Sequence, residues 1–272
     1  MSVHRYSVSE TSKSFEETSR DPLGLYVESL DICRQIVSRF GESPQSLRDV
    51  SISLEKVADA MRGLGVGEVA IDGVSRDPLG LYVESLDTRR QIVSRFGESP
   101  ESLRDVSASL QRIGDFEVVR GNRQQGLDAY LELLSITRRI LDSYGDSPDS
   151  FRIVSISLNK VADAMRGLGV GEVAIDGVSR DPLGLYVDSL DIRRQIVRRF
   201  GESPQSLRDV FVSLSRMTFM AREEGDVAKA RAYLREARDI LEQMLYRGWD
   251  SPQMQQELAW VTGQEAEIDD QE

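Results

Sequence analysis

The sequence has one cysteine, one histidine and no long apolar run, and each scarcity excludes a class of protein. Cys33 alone cannot form an internal disulfide framework. His4 alone cannot supply a histidine-based catalytic triad or most zinc sites. No stretch approaches the ~18 apolar residues that cross a bilayer, and residues 1–20 lack the apolar core of a signal peptide. We therefore expect a cytoplasmic protein without a cofactor, a metal or a membrane partner.

Positive charge is also in deficit, because the formal net charge is −12. Residues 257–272 contain six acidic side chains and no Lys or Arg, so half of the excess negative charge lies at this end. We expect a solvating acidic tail over residues 265–272. The rest of the chain is mildly acidic, which argues against a nucleic acid as partner.

What the chain has in abundance is self-similarity. Residues 51–106 recur at residues 155–210, a shift of 104 positions. A stacked array uses such copies, because each repeat buries its apolar face on the next one, whereas a protein with one enclosed core does not need them. Only five of the 56 paired positions differ: Glu55/Asn159, Glu84/Asp188, Thr88/Ile192, Ser94/Arg198 and Glu101/Gln205.

A shorter repeat lies inside the long one. Ser-Pro pairs end at Pro44, Pro100, Pro148, Pro204 and Pro252, so units of 56 and 48 residues alternate. Each unit is predicted to contain two helices. The first helix begins at Ser-Pro, with the serine as N-cap and the proline in the first turn. The second begins at Asp-Pro in the long units, at Asp21, Asp77 and Asp181.

The eight extra residues of each long unit lie between its two helices, in Leu64–Arg76 and Leu168–Arg180. Glycines interrupt the helix pattern there. No segment alternates long enough to predict strands, although residues 69–73 would suit a turn or one strand pair. Gly63-Leu64-Gly65-Val66-Gly67 follows a helix and has no Gly-Lys-Ser/Thr after it, so we interpret it as an interhelical loop and not as a phosphate site.

The short units carry a family resemblance. Ile113-Gly114, Gly121-Asn122, Gly126, Tyr130 and Leu133 follow the spacing of small and aromatic residues in tetratricopeptide repeats. Met217-Thr218, Gly225-Asp226, Ala230, Leu234 and Ala237 repeat this spacing. The chain resembles a bacterial tetratricopeptide array with lengthened helices. Its units exceed the family's 34-residue period, and Leu54, Leu110, Leu158 and Leu214 replace the usual tryptophan.

The resemblance implies an all-α fold, a right-handed α-solenoid of antiparallel helix pairs over residues 21–264, preceded by a flexible segment over residues 1–20. It also implies a non-catalytic scaffold or adaptor that holds a protein or peptide on a concave face lined by first helices. By position, the lining is Glu55, Asp59, Arg62, Gln111, Asp115, Asn159, Asp163, Arg166, Ser215, Phe219 and Arg222. Because acidic side chains cluster toward the middle of this set, a basic or amide-rich segment is the better electrostatic match. An alternative is a solvated helix face with ion pairs inside each helix.

A competing hypothesis is self-association as a homodimer, through a helix over residues 21–40 that has no first helix before it. The apolar stripe that predicts this interface is Tyr26, Leu30, Cys33, Val37 and Phe40. A third hypothesis is a spacer, in which length matters more than any groove.

The arginine pairs, the cysteine and the carboxylates are each better explained by a structural role than by a catalytic or nucleic-acid-binding one. Arg89-Arg90 and Arg193-Arg194 follow Asp87 and Asp191 at ion-pairing distance, which predicts a salt-bridged outer face instead of an RNA site. Cys33 lies on an apolar stripe and is expected to be an inert thiol. The carboxylates form no isolated pair in an apolar setting, so we do not expect an enzyme.

Overall fold

The structure is a computed structural model that describes residues 21–269. Helices dominate the described part of the chain, and two short β-hairpins interrupt them. The helices are α1 Pro22–Phe40, α2 Pro44–Leu64, α3 Pro78–Phe96, α4 Pro100–Val119, α5 Arg123–Tyr144, α6 Pro148–Leu168, α7 Pro182–Phe200, α8 Pro204–Glu223, α9 Val227–Tyr246 and α10 Pro252–Asp269. The strands are β1 Val69–Ile71, β2 Val74–Arg76, β3 Val173–Ile175 and β4 Val178–Arg180.

The helices that follow Ser-Pro and Asp-Pro begin where the sequence predicts. Ser43 is the N-cap of α2: its hydroxyl accepts the backbone N–H of Ser46, while the Ser46 hydroxyl accepts the backbone N–H of Ser43. This reciprocal arrangement satisfies two backbone donors that a helix end leaves without partners. Asp77 caps α3 through a single bond, in which its carboxylate accepts the backbone N–H of Gly80. Proline occupies the first turn after each of these caps, where its missing N–H costs nothing.

The two hairpins correct the expectation that the chain lacks strands. β1 pairs antiparallel with β2, and Ile71 lies opposite Val74. Asp72 and Gly73, which join them, both have positive φ, as a two-residue turn between twisted strands requires. Arg34 of α1 forms an ion pair with Asp72. β3 and β4 repeat the pairing, and Arg138 forms an ion pair with Asp176. Three-residue strands are too short for sequence alternation to reveal them.

The chain divides into two compact units after Ile136. In the first unit α1 packs on α2, α2 on α3 and α3 on α4. Its core contains fully buried side chains from successive helices, including Leu30, Leu54, Met61 and Leu81. Burial of one such side chain contributes about 1.5–3 kcal/mol.

The second unit, after Ile136, repeats this arrangement. Here α6 packs on α7, α7 on α8, α8 on α9 and α9 on α10. Its fully or almost fully buried side chains include Leu158, Met165, Leu185 and Leu214. The order first helix, hairpin, second helix, first helix is the same in both units, as the 104-residue shift predicts.

A close contact between α4 and α5 explains the small residues of the first short unit. A Cβ atom added at Gly114 would lie 2.4 Å from Cε1 of Tyr130. Residue 114 must therefore be glycine while residue 130 is tyrosine. In the second short unit both positions change together, to Thr218 and Leu234, which are fully buried. This reciprocal exchange of volumes is what close packing of a core demands.

The acidic end of the chain is partly helical. The expected tail of residues 265–272 begins inside α10, which continues to Asp269, whereas residues 270–272 lie outside the described part. Glu265 pairs with Arg238, and Glu267 pairs with Arg222 at 2.8 Å. These cations on α8 and α9 extend the helix beyond the end suggested by composition. The expected segment of residues 1–20 also lies outside the described residues. Among the helices of residues 21–269, none is long and apolar enough to cross a membrane.

Candidate functional site

The acidic residues assigned to the first-helix face already have partners within the chain. Asp59 accepts the Tyr82 hydroxyl at 2.5 Å and Nη1 of Arg112 at 2.8 Å. Asp163 accepts the Tyr186 hydroxyl at 2.5 Å, and Arg216 donates to both of its carboxylate oxygens. Burial, reinforced by the Asp163 carboxylate, raises the pKa of Tyr186 to about 12. These carboxylates therefore orient the second helices as well as facing solvent.

Glu55 does not lie on an open surface, contrary to the expectation from its position. Its side chain is 6% exposed, and its Oε1 lies 2.8 Å from Nη1 of Arg89, which is 4% exposed. Ser85 and Ser109 donate to the same carboxylate. The expected outer face of arginine pairs is wrong for Arg89, because helix α3 turns this residue inward while Arg90 pairs with Asp87 and Glu132 outside.

In the second copy the same inward arginine lacks its carboxylate. Asn159 occupies the position of Glu55 and is buried like it. Asn159 therefore does not lie on the open face to which the sequence assigned it. Arg193 donates to the Ser155 hydroxyl and to the backbone carbonyl of Asp209 at 2.7 Å. Burial lowers the pKa of Arg193 to about 10, the direction expected for a cation with few compensating charges.

An open cleft of about 420 Å³ lies among α6, α7, α8 and α10, within residues 137–269. Four of the assigned residues line it: Asp163, Arg166, Ser215 and Phe219. Sequence reasoning missed the others, which are chiefly apolar or aromatic: Tyr186, Phe211, Val212, Arg216, Met220 and Trp260.

The walls of this cleft are aromatic and its rim is charged. Phe211 and Trp260 meet edge to face, with ring centroids 6.2 Å apart. Phe219 is 54% exposed, and the Arg166 guanidinium lies 5.5 Å from its ring centroid. Arg166 also pairs with Glu223. Arg222, the last assigned residue, pairs with Glu267 beyond the cleft. Because the rim charges are paired with one another, the surface left for a ligand is largely apolar.

A comparison between the two superunits could have revealed the aromatic walls. At a shift of 104 residues, Phe211 replaces Ser107, Phe219 replaces Asp115 and Trp260 replaces Ile156. The second superunit thus has aromatic side chains at three positions where the first has a small, an acidic and an aliphatic residue. This difference indicates that the chemistry of the surface has changed. The sequence does not show that these positions, from α8 and α10, converge on one cleft.

A second open cleft, of about 720 Å³, lies within residues 21–136. Asp59 and Arg62 line it with Phe116, Asp77 and the glycine-rich loop after α2. The guanidinium groups of Arg62 and Arg120 lie 5.2 and 5.3 Å from the Phe116 ring centroid. Gln111 and Asp115 are outside its lining; Gln111 is half-buried, and Asp115 accepts the Tyr130 hydroxyl. This cleft is larger but has one aromatic wall.

The residues assigned to self-association divide between two faces of α1. Leu30 is fully buried, and Cys33 and Val37 pack on the core of the first unit. The Cys33 sulfur lies 3.4 Å from the Ser53 hydroxyl of α2. The predicted stripe is therefore largely the face that holds α1 to α2. Only Tyr26 and Phe40 are exposed, together with Leu25, Ile32 and Ile36, which the sequence analysis did not select.

Residues 21–269 contain no group of three His, Cys, Asp or Glu side chains placed to hold a metal ion. The carboxylates that line the two clefts have partners: Asp59 and Asp163 accept from arginine and tyrosine, and Asp77 caps α3 and lies 3.8 Å from Arg120. What the cleft of residues 137–269 offers is an apolar recess with a polar rim, an arrangement suited to binding.

Comparisons with known proteins support the fold. No family model and no curated protein matches the chain. The crystal structure of BtubC (BKLC) from P. vanneervenii is similar with a TM-score of 0.61 and 16% identity, over 93% of this chain and 87% of that one. MamA has a TM-score of 0.39 with 10% identity, over 82% and 92% of the two chains. Yeast Tom70 has a TM-score of 0.19 with 9% identity, over 90% and 60%. The helix pairs described above and the similarity to the BtubC structure show a fold of successive antiparallel helix pairs, as the resemblance to tetratricopeptide repeats implies.

Proposed function

We propose that this chain is a non-catalytic adaptor that binds a segment of a partner protein on its first-helix face. The observation that carries the proposal is the aromatic cleft of residues 137–269. A large apolar side chain of the partner would enter between Phe219 and the Phe211–Trp260 pair, and the charged rim would contact the polar atoms of its backbone. Buried aromatic contacts of this kind supply most of the free energy in small interfaces.

The ion pairs within the chain support an apolar anchor over a basic segment as the chemistry of the partner. The sequence favours a basic or amide-rich segment because Glu55, Asp59, Asp115 and Asp163 cluster toward the middle of the predicted lining. Arg112 and Arg216 already neutralise Asp59 and Asp163, so a cationic partner would have to displace them. An apolar anchor needs no such exchange. We therefore place the specificity in a large apolar side chain, and rank a basic segment below it.

The test uses peptide display, because the partner is not identified. Peptides selected on the immobilised full chain would be titrated by fluorescence anisotropy against the wild type and the Phe219→Asp variant. This variant installs the residue found at the equivalent position of the other superunit, Asp115. We expect the selected peptides to share a large apolar residue, and the variant to weaken binding at least tenfold, about 1.4 kcal/mol.

The control is Val119→Asp on α4, which introduces the same charge at an exposed apolar residue that lines the other cleft and lies outside the aromatic one. It should leave the affinity within about twofold. Equal weakening by both variants would indicate a general charge effect. Peptides that bind Phe219→Asp as well as the wild type would reject the aromatic cleft as the binding site.

A further inference from the structure

One face of α1 exposes a row of large apolar side chains. Leu25 is 42% exposed, Ile32 57% and Ile36 44%, with the small Ser29 between them. At 100° per residue these four positions fall within one narrow wedge of the helix. Leu23, Val27 and Leu30, which pack on α2, lie on the opposite side. The exposed row is therefore separate from the contact that holds α1 to its own unit.

Helix α3, the copy of α1 in the next unit, buries residues that are equivalent to part of this exposed row. At a shift of 56 residues, Leu25, Tyr26 and Ile36 correspond to Leu81, Tyr82 and Ile92, which are 0%, 0% and 3% exposed. In α3, Leu81 and Tyr82 pack in the core with residues of the preceding first helix, α2, and the Tyr82 hydroxyl donates to Asp59 of that helix. The exposed row of α1 thus has the composition of a helix-packing face, and in residues 21–269 no helix covers it.

The charges beside this row indicate a second copy of α1 as its occupant. Glu28 and Arg39 are exposed, lie on the same flank of the row, and are eleven positions apart. If two copies of α1 pack antiparallel about a twofold axis, Glu28 of each copy lies opposite Arg39 of the other. The same placement brings Ile32 beside Ile36 of the second copy and Leu25 beside Phe40. Ser29 allows the helices to approach closely.

We propose that the chain forms a twofold dimer through this face of α1, defined by Leu25, Ser29, Ile32, Ile36, Glu28 and Arg39. A twofold contact requires a surface that complements itself, and a row with opposite charges toward its two ends meets that requirement. The contact area is set by two 19-residue helices about 28 Å long. An interface of this size is small, so we expect a concentration-dependent dimer. The proposal does not depend on the cleft of residues 137–269.

Light scattering of the full chain over a range of concentrations is the test. The wild type should approach twice the monomer mass of 30.5 kDa at high concentration. Ile32→Glu should remain a monomer throughout that range. Val187→Glu, which alters a similarly exposed apolar residue of α7, should dimerise like the wild type.

Charge exchange separates this interface from other contacts. Glu28→Arg alone places two cations opposite one another at each contact, and Arg39→Glu alone places two anions there; each variant should be monomeric. The double variant E28R/R39E should dimerise again, and a mixture of the two single variants should form a heterodimer. A wild-type chain that stays monomeric, as it would if its own residues 1–20 cover the face, overturns the proposal. So does a dimer that none of these substitutions weakens.

Discussion

At the scale of single residues, the most informative position is the one occupied by Glu55 in one copy and Asn159 in the other. Both face a buried arginine of the next helix, Arg89 or Arg193. The first arginine is neutralised by a carboxylate, and the second rests on a serine hydroxyl and a backbone carbonyl. A buried charge without a counter-charge costs several kcal/mol of folding free energy. The two near-identical copies therefore differ in whether their buried arginine has a carboxylate as counter-charge.

We predict that Glu55→Gln lowers the free energy of unfolding by about 3–5 kcal/mol, because it leaves Arg89 buried without its carboxylate. The reciprocal change, Asn159→Glu, should stabilise the chain by supplying Arg193 with a carboxylate. Urea denaturation followed by circular dichroism measures both changes.

Glu101→Gln is the matched control, since it is another natural difference between the copies. The Glu101 side chain is 70% exposed and pairs with Arg48 at the surface, so its removal should cost no more than about 1 kcal/mol. If Glu55→Gln proves as mild as Glu101→Gln, the buried pair does not stabilise the fold.

At the scale of secondary-structure elements, caps were easier to predict than strands. A helix start depends on residues within one turn, so Ser43-Pro44 and Asp77-Pro78 identify α2 and α3 from the sequence. The hairpins depend on a two-residue turn and three residue pairs, too few for a pattern. Asp72 and Gly73 were visible as turn formers, but the ion pair between Arg34 and Asp72 joins residues 38 positions apart and could not be predicted.

The turn gives a prediction at this scale. Gly73 has φ +75°, and a side chain there is strained even though no atom lies within 4 Å of an added Cβ. Gly73→Ala should therefore destabilise the first unit by about 1–2 kcal/mol. Gly63→Ala, in the last turns of α2 and equally free of contacts, should instead stabilise by up to about 1 kcal/mol. Thermal unfolding monitored by circular dichroism distinguishes them, and equal shifts would show that the turn is not strained.

At the scale of the whole molecule, the near-identity of the copies permits a precise deletion. Removal of residues 51–154 joins Val50 to Ser155, which reproduces the natural Val-Ser junction, and keeps every residue that lines the aromatic cleft. Because repeat arrays are stabilised by contacts between neighbours, the shortened chain should fold. It should bind the selected peptides within about twofold of the full chain.

The matched control for this deletion is the shortened chain carrying Phe219→Asp, which should lose the binding. A folded deletion chain that no longer binds would show that residues 51–154 also contact the ligand. A function that needs only length, as a spacer has, would be lost in the shortened chain while the peptide binding remained.

The sequence by itself determined the helix pairs, their starts and the 104-residue superperiod. Caps and apolar spacing depend on residues within a few positions of one another, and repetition is found by comparing segments of the sequence. It also located Asp163, Arg166 and Phe219 on a first-helix face. Only the tertiary structure decided which side chains meet across helices. It buried Glu55 against Arg89, brought Phe211, Phe219 and Trp260 to one cleft, and turned the expected dimer stripe of α1 onto α2. Such contacts join residues tens of positions apart, and helix rotation fixes them through the packing of the core.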